Sequence, residues 1–146
     1  MNDPSLGKLL ISTVAGFTAA GGFLADYNRT HIFNPRWPPH AKFHDAQTIS
    51  LAAMLGGLSL WALWRGPFDD RARLRVAIIF GALYWVSQAT SLLFPNIALV
   101  DPEFETAVPK VFGRPVMQPV LGAILLSLLA AGAVLERRRS VFRRLS

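Results

Sequence analysis

Four long apolar segments constrain what this chain can fold into more than any other feature of its sequence. They cover residues 6–25, 46–64, 76–94 and 116–135. A helix rises about 1.5 Å per residue, so a segment of about 20 residues can cross the roughly 30 Å of bilayer hydrocarbon. Backbone polar groups cannot stay unpaired in lipid, so each segment must be helical. We therefore predict an all-α fold, a four-transmembrane-helix bundle that forms a single membrane domain over residues 1–146.

Composition supports a membrane protein over a soluble domain. Only 16% of the residues are charged and 52% are hydrophobic, whereas soluble domains carry about 25% charged residues. The first residues contain one basic side chain, Lys8, and no convincing cleavage site, so we expect no removed signal peptide. Small residues such as Gly56 and Gly132 recur on the predicted helices, and we expect them at helix contacts within the bundle.

The distribution of basic residues predicts the orientation. The net charge is +6, and the Lys and Arg residues lie beside the apolar segments, which favours membrane topology over nucleic-acid binding. With the N-terminus inside, ten basic residues fall on the inner side: Lys8, Arg65, Arg71, Arg73, Arg75, Arg137, Arg138, Arg139, Arg143 and Arg144. The outer side holds five: Arg29, Arg36, Lys42, Lys110 and Arg114. Both termini are therefore predicted to be cytoplasmic, with two longer loops outside. The cysteine-free, Arg- and Ala-rich composition suggests a bacterial inner membrane, and the absence of cysteine excludes disulfides and thiolate chemistry.

Residues 26–45, which we call the histidine segment, contain all three histidines of the chain. Connections between helices usually have about 4–6 residues, so this segment is longer and more polar than a passive linker. Pro38 and Pro39 suit the start of a helix. From there His40, His44, Gln47 and Thr48 follow at i, i+4, i+7 and i+8 and share one helix face.

These residue types suggest either metal binding or proton transfer. Imidazole nitrogens ligate divalent metals, and neutral imidazole also serves as acid or base near pH 7. The candidate metal ligands are His31, His40 and His44, and the candidate catalytic residues are His31, His40, His44, Asp26, Glu103 and Glu105. Glu103 and Glu105 belong to residues 96–115, which we call the acidic loop and predict on the same side of the membrane. The alternatives are an interfacial belt of aromatic and histidine side chains, and simple ion pairing between the two loops.

Polar side chains within and beside the spans predict a pocket open to the outer leaflet. Its candidate lining residues are Asn28, Trp37, Gln47, Thr48, Tyr84, Gln88 and Gln118. Ordinary hydrogen bonding between helices is the alternative. No predicted span carries a carboxylate, Lys or Arg at mid-depth, which argues against an ion channel or a proton-coupled carrier.

The histidine segment also resembles a family signature. Its pattern is Asp26-x-Asn28-x-Thr30-His31-x-x-Asn34-Pro35-x-Trp37-Pro38-x-His40-Ala41-x-Phe43-His44. This resembles a motif of short four-span bacterial and fungal membrane proteins that have no assigned function. The four-span layout is loosely similar to DoxX-like proteins and to the sterol-isomerase-related EXPERA group. The likeness to the EXPERA group implies only a membrane pocket in which His and Glu transfer protons to sterols.

Several hypotheses about function remain open. The first is a protein that binds or converts a lipophilic small molecule at the outer interface, assisted by a divalent metal or by acid–base chemistry. The second is a noncatalytic membrane subunit or scaffold that docks a partner, and a weaker third is a dimeric transporter. The expected partners are membrane lipids, a lipophilic ligand and a further copy of the chain in a homo-oligomer.

Overall fold

The structure is a computed structural model that describes residues 4–108, 110–115 and 117–145. It contains four long α-helices: α1 (Leu6–Asp26), α2 (Pro39–Trp64), α3 (Asp70–Ser91) and α4 (Gln118–Leu145). Between α3 and α4 lie a 3-10 helix (Pro102–Ala107) and a two-stranded hairpin of β1 (Lys110–Val111) and β2 (Arg114–Pro115). The hairpin pairs Val111 with Arg114 around Phe112 and Gly113. The expected helical architecture is therefore present, with short extra elements in the acidic loop.

Local sequence explains where the helices begin. The Ser5 hydroxyl accepts a hydrogen bond from the Lys8 N–H at the start of α1. At α2, Pro38 is extended and Pro39 occupies the first turn, where its missing N–H costs nothing. The Asp69 carboxylate caps α3 by accepting the Ala72 N–H at 2.8 Å, and this bond lowers the pKa of Asp69.

The helices close into a bundle in chain order. Each packs against the next, and α4 returns to pack against α1. The ends of α1 and α4 meet where Ser5 hydrogen-bonds Glu136. Trp64, at the end of α2, donates to the Ser12 hydroxyl of α1 at 2.9 Å. Both α2 and α4 therefore run antiparallel to α1.

The core combines apolar packing with satisfied polar groups. It holds side chains from all four helices: Ile11, Val14, Ala62, Leu63, Ala77, Trp85, Leu125 and Leu129. The buried Trp85 indole N–H donates to the Thr18 hydroxyl at 2.8 Å, and Ser59 donates to the Ala77 carbonyl at 2.8 Å. Hydrogen bonds of this kind remove the penalty of burying polar atoms.

Three helices are long and apolar enough to cross a membrane within the described ranges: Leu6–Asp26, Pro39–Trp64 and Gln118–Val141, with mean hydropathies of 1.4, 1.4 and 2.0. Only 28%, 33% and 28% of the most apolar 18-residue window of each helix is buried, so most of its residues remain available for lipid contact. The chain is thus a multi-pass membrane protein. α3 is less apolar than the predicted span 76–94, because it starts earlier, with Asp70, Arg71, Arg73 and Arg75, and ends in polar residues.

Candidate functional site

A tight turn built on Asn28 connects α1 to the rest of the histidine segment. The Asn28 side-chain oxygen accepts hydrogen bonds from the Thr30 N–H and the Thr30 hydroxyl, both at 2.7 Å. Its amide nitrogen donates back to the Ala25 carbonyl. Asn side chains stabilise such turns because they are short and can bond to nearby backbone groups. The turn places His31 directly beside the C-terminal end of α1.

His31 faces Asp26 with one ring nitrogen and Thr30 with the other. Its Nε2 lies 3.6 Å from an Asp26 carboxylate oxygen, an ion-pair distance, and its Nδ1 lies 2.7 Å from the Thr30 hydroxyl. That hydroxyl has a single proton, which it donates to Asn28, so the short contact requires His31 Nδ1 to be the donor. The neutral imidazole therefore carries its proton on Nδ1 and directs its Nε2 lone pair towards Asp26.

Two more titratable side chains lie near this pair. The Asp45 carboxyl group on α2 lies close enough to Asp26 and His31 to interact with them electrostatically. The Tyr84 hydroxyl on α3 is likewise close enough to interact with Asp26 and Asp45. One carboxylate oxygen of Asp45, Oδ2, is buried and receives no hydrogen bond from the part of the chain that the structure describes. We call Asp26, His31, Asp45 and Tyr84 the polar cluster. It draws its members from α1, α2, α3 and the turn after α1.

His40 and His44 form a separate, exposed pair on the first turns of α2. Their Nε2 atoms are 3.1 Å apart, and the rings meet edge to face with centroids 4.5 Å apart. The Gln47 side-chain oxygen lies 3.3 Å from His44 Nδ1, and Thr48 donates to the His44 carbonyl at 3.0 Å. The helical spacing that singled out these four residues in the sequence thus corresponds to direct contacts.

The acidic loop docks onto the histidine segment through three polar contacts. Arg36 forms an ion pair with Glu103. The buried Asn34 side chain donates to Glu103 at 3.4 Å, and the Trp37 indole N–H donates to Asp101 at 3.4 Å. A cleft of about 430 Å³ lies between the loops, lined by Arg36, Trp37, Asp101, Pro102 and Glu103. The Trp37 ring also contacts His31 edge to face at 5.1 Å, which places this cleft next to the polar cluster.

A family comparison covers nearly the whole chain. The model of a family of unknown function, DUF6640, matches residues 10–144. The chain belongs to the DUF6640 family. No curated protein and no solved structure matches it.

The site residues predicted from sequence fall into three groups in this DUF6640 chain. Asp26, Asn28 and His31 come together at the end of α1, with Tyr84 close by. His40, His44, Gln47 and Thr48 form the second group, and Trp37 and Glu103 line the cleft.

The remaining candidates lie apart from these groups. Gln88 packs beside Gly122 of α4, while Glu105 and Gln118 are exposed. Within residues 4–108, 110–115 and 117–145, no three His, Asp or Glu side chains are arranged to hold one metal ion. Metal binding by all three histidines together therefore has no geometric support.

Thr30, Arg36 and Asn34 are not among the site residues predicted from the sequence, although ion pairing between the two loops was considered, and all three position the site. Thr30 orients His31, Arg36 pairs with Glu103, and Asn34 bonds to Glu103 while its side-chain oxygen accepts the Arg36 N–H at 2.9 Å. The signal for Thr30 and Asn34 was present as Asn-x-Thr and Asn-Pro, two patterns that favour side-chain-stabilised turns.

Proposed function

We propose that this protein binds a lipophilic small molecule in the cleft between the histidine segment and the acidic loop, and exchanges a proton with it through His31. The observation that carries the proposal is the hydrogen-bond chain from Asn28 through Thr30 to His31. This chain fixes the imidazole in one orientation beside Asp26. Thr30 orients the ring through Nδ1, and Asp26 offers a carboxylate oxygen to a proton placed on Nε2.

The position of His31 suits contact with a bound molecule. Its side chain is 31% exposed, and its ring contacts Trp37, which lines the cleft. A neutral imidazole in this setting takes a proton at Nε2, and the imidazolium returns it, so the pair supports reversible proton transfer.

The surroundings of the cleft favour a lipophilic ligand with a polar end. Trp37 supplies an aromatic wall, while Arg36, Asp101 and Glu103 supply charges. The apolar helices below expose many large hydrophobic side chains that would contact lipid. A molecule dissolved in the bilayer would therefore meet the polar groups where its own polar end leaves the hydrocarbon.

The proposal places α3 across the membrane as a fourth span. Because α2 and α4 both run antiparallel to α1, α3 must carry the chain from the Trp64 end of the bundle back to the end that holds His31. Its 22 residues span about 33 Å at the helical rise. The excess of basic residues then predicts that the protein lies in a bacterial inner membrane with both termini on the cytoplasmic side and the cleft on the outer side.

The test measures conversion and retention of lipophilic molecules. Full-length protein in lipid nanodiscs is incubated with a lipid extract of the expression host, and bound and free molecules are compared by mass spectrometry. We expect the wild type to retain a molecule whose bound amount falls at least tenfold in Trp37→Ala. We expect conversion to fall by about 10²-fold or more in His31→Gln and Asp26→Asn, as general acid–base catalysis implies.

Phe112→Ala is the matched control, since Phe112 is an aromatic residue of the acidic loop, does not line the cleft and is fully exposed. It should retain and convert the molecule as the wild type does. If wild type and Trp37→Ala retain the same molecules in the same amounts, the cleft is not the ligand site. Retention without any conversion would reduce the proposal to binding alone.

A noncatalytic subunit or scaffold is the second candidate. It is favoured by the Arg36–Glu103 ion pair and the Asn34–Glu103 bond, which tie the two loops together whatever the cleft contains. Under this alternative, Glu103→Gln lowers the melting temperature, whereas His31→Gln and Trp37→Ala leave the set of retained molecules unchanged.

A further inference from the structure

The spacing of the His40 and His44 nitrogens matches a shared metal ion. Two nitrogens 3.1 Å apart, each about 2.0–2.1 Å from one ion, subtend an angle of about 95–102° at that ion. This value lies between the octahedral and tetrahedral angles of about 90° and 109°, which zinc and its first-row neighbours adopt. No backbone movement is needed, because both residues lie one turn apart on α2.

The neighbouring side chains prepare these nitrogens for coordination. The Gln47 side-chain oxygen can only accept, so His44 Nδ1 donates to it and His44 Nε2 keeps its lone pair. Metal-binding histidines commonly donate their other ring N–H in this way, which fixes the tautomer and the ring orientation. The Phe43 ring stacks parallel to His40 at 6.3 Å and meets His44 edge to face at 5.5 Å, so it flanks both imidazoles.

We propose that His40 and His44 together bind a first-row divalent transition-metal ion, such as zinc, nickel or copper, and that His31 is not a ligand. Without metal, His40 Nε2 donates its proton to His44 Nε2 across the 3.1 Å contact. On binding, His40 moves that proton to Nδ1, and both Nε2 lone pairs face the ion.

The chemistry of the pair also indicates what kind of site it is. Structural zinc ions usually have four protein ligands, whereas an ion held by two imidazoles keeps at least two positions open. Both side chains are exposed, so water or a ligand atom can reach those positions. The site therefore binds an ion that keeps open coordination positions, and it does not serve to stabilise the fold. It does not depend on proton transfer at His31.

The test uses Cu²⁺, for which nitrogen sites have the highest affinity in the divalent series. Full-length protein without a polyhistidine tag, in lipid nanodiscs, is titrated with Cu²⁺ at neutral pH. Pulsed electron paramagnetic resonance then counts the coordinated imidazoles. We expect one bound equivalent with two imidazoles. In His40→Ala and in His44→Ala we expect one imidazole and at least tenfold weaker binding.

His31→Ala is the matched control, because it removes the remaining histidine of the chain. It should change the Cu²⁺ affinity less than twofold while abolishing the conversion assigned to His31. Equal weakening by His31→Ala, or unchanged binding when both His40 and His44 are replaced, would overturn the proposal. If an alanine variant loses helical circular dichroism, the glutamine variant at the same position replaces it in the comparison.

Discussion

The Thr30 hydroxyl determines which ring nitrogen of His31 carries a proton in the neutral form. It donates to Asn28, and its lone pair accepts from His31 Nδ1. We expect Thr30→Val to release the imidazole and to mix its two tautomers, because valine keeps the shape but cannot accept. Nitrogen-15 chemical shifts of histidine-labelled protein report this directly, with His31→Gln used to assign the signal. Thr30→Ser should keep the Nδ1–H form, and a wild-type-like spectrum for Thr30→Val would contradict the proposed bond chain.

Single residues of the site differ in how far the sequence could predict their places. The contact between His40 and His44 follows from helical spacing alone, because Pro38 and Pro39 mark the helix start and the rise of a helix is local geometry. The partner of His31 depends instead on the turn after α1, whose conformation is set by side-chain hydrogen bonds. Asp45 approaches Asp26 only because α1 and α2 pack together. Spacing cannot reveal such tertiary proximity.

The contact between α1 and α2 depends on one of two adjacent glycines. A Cβ added at Gly56 would lie 2.8 Å from the Ala19 Cα, whereas one added at Gly57 would meet nothing within 4 Å. We therefore expect Gly56→Ala to push the helices apart and to cost about 1–3 kcal/mol, as overpacking does. Gly57→Ala should be neutral or stabilising by about 0.5–1 kcal/mol, since alanine favours helix. Thermal unfolding in one detergent compares the two, and equal melting temperatures would contradict this packing.

At the level of whole helices, the apolar segments predicted where α1, α2 and α4 lie but not where all of them end. A hydrophobic segment predicts only the part of a helix that contacts lipid. The helix itself continues until a capping residue or a turn ends it. α2 accordingly begins at Pro39, seven positions before the predicted span, and α4 continues through basic residues to Leu145. The hairpin in the acidic loop escaped prediction because its strands have two residues each, too few for an alternating pattern.

For the whole molecule, the path of the chain constrains the topology more firmly than hydropathy does. α3 is not among the three helices that are long and apolar enough to be candidate spans, yet Ser5 meets Glu136, so α1 begins on the side where α4 approaches its end. A chain that returns to its starting side crosses an even number of times. With α1, α2 and α4 as three crossings, we propose that α3 supplies the fourth. The charge count then predicts which side is cytoplasmic.

Single cysteines test this topology cleanly, because the chain has none of its own. The variants are Arg29→Cys, Glu105→Cys, Arg71→Cys and Ser140→Cys, all at exposed positions. In intact cells we expect a membrane-impermeant maleimide to label positions 29 and 105 only, and to label 71 and 140 after permeabilisation. Labelling of 71 and 105 from the same side would show that α3 does not cross. A complete exchange of sides would keep the four crossings but reverse the orientation, and would place the cleft and the His40–His44 pair in the cytoplasm.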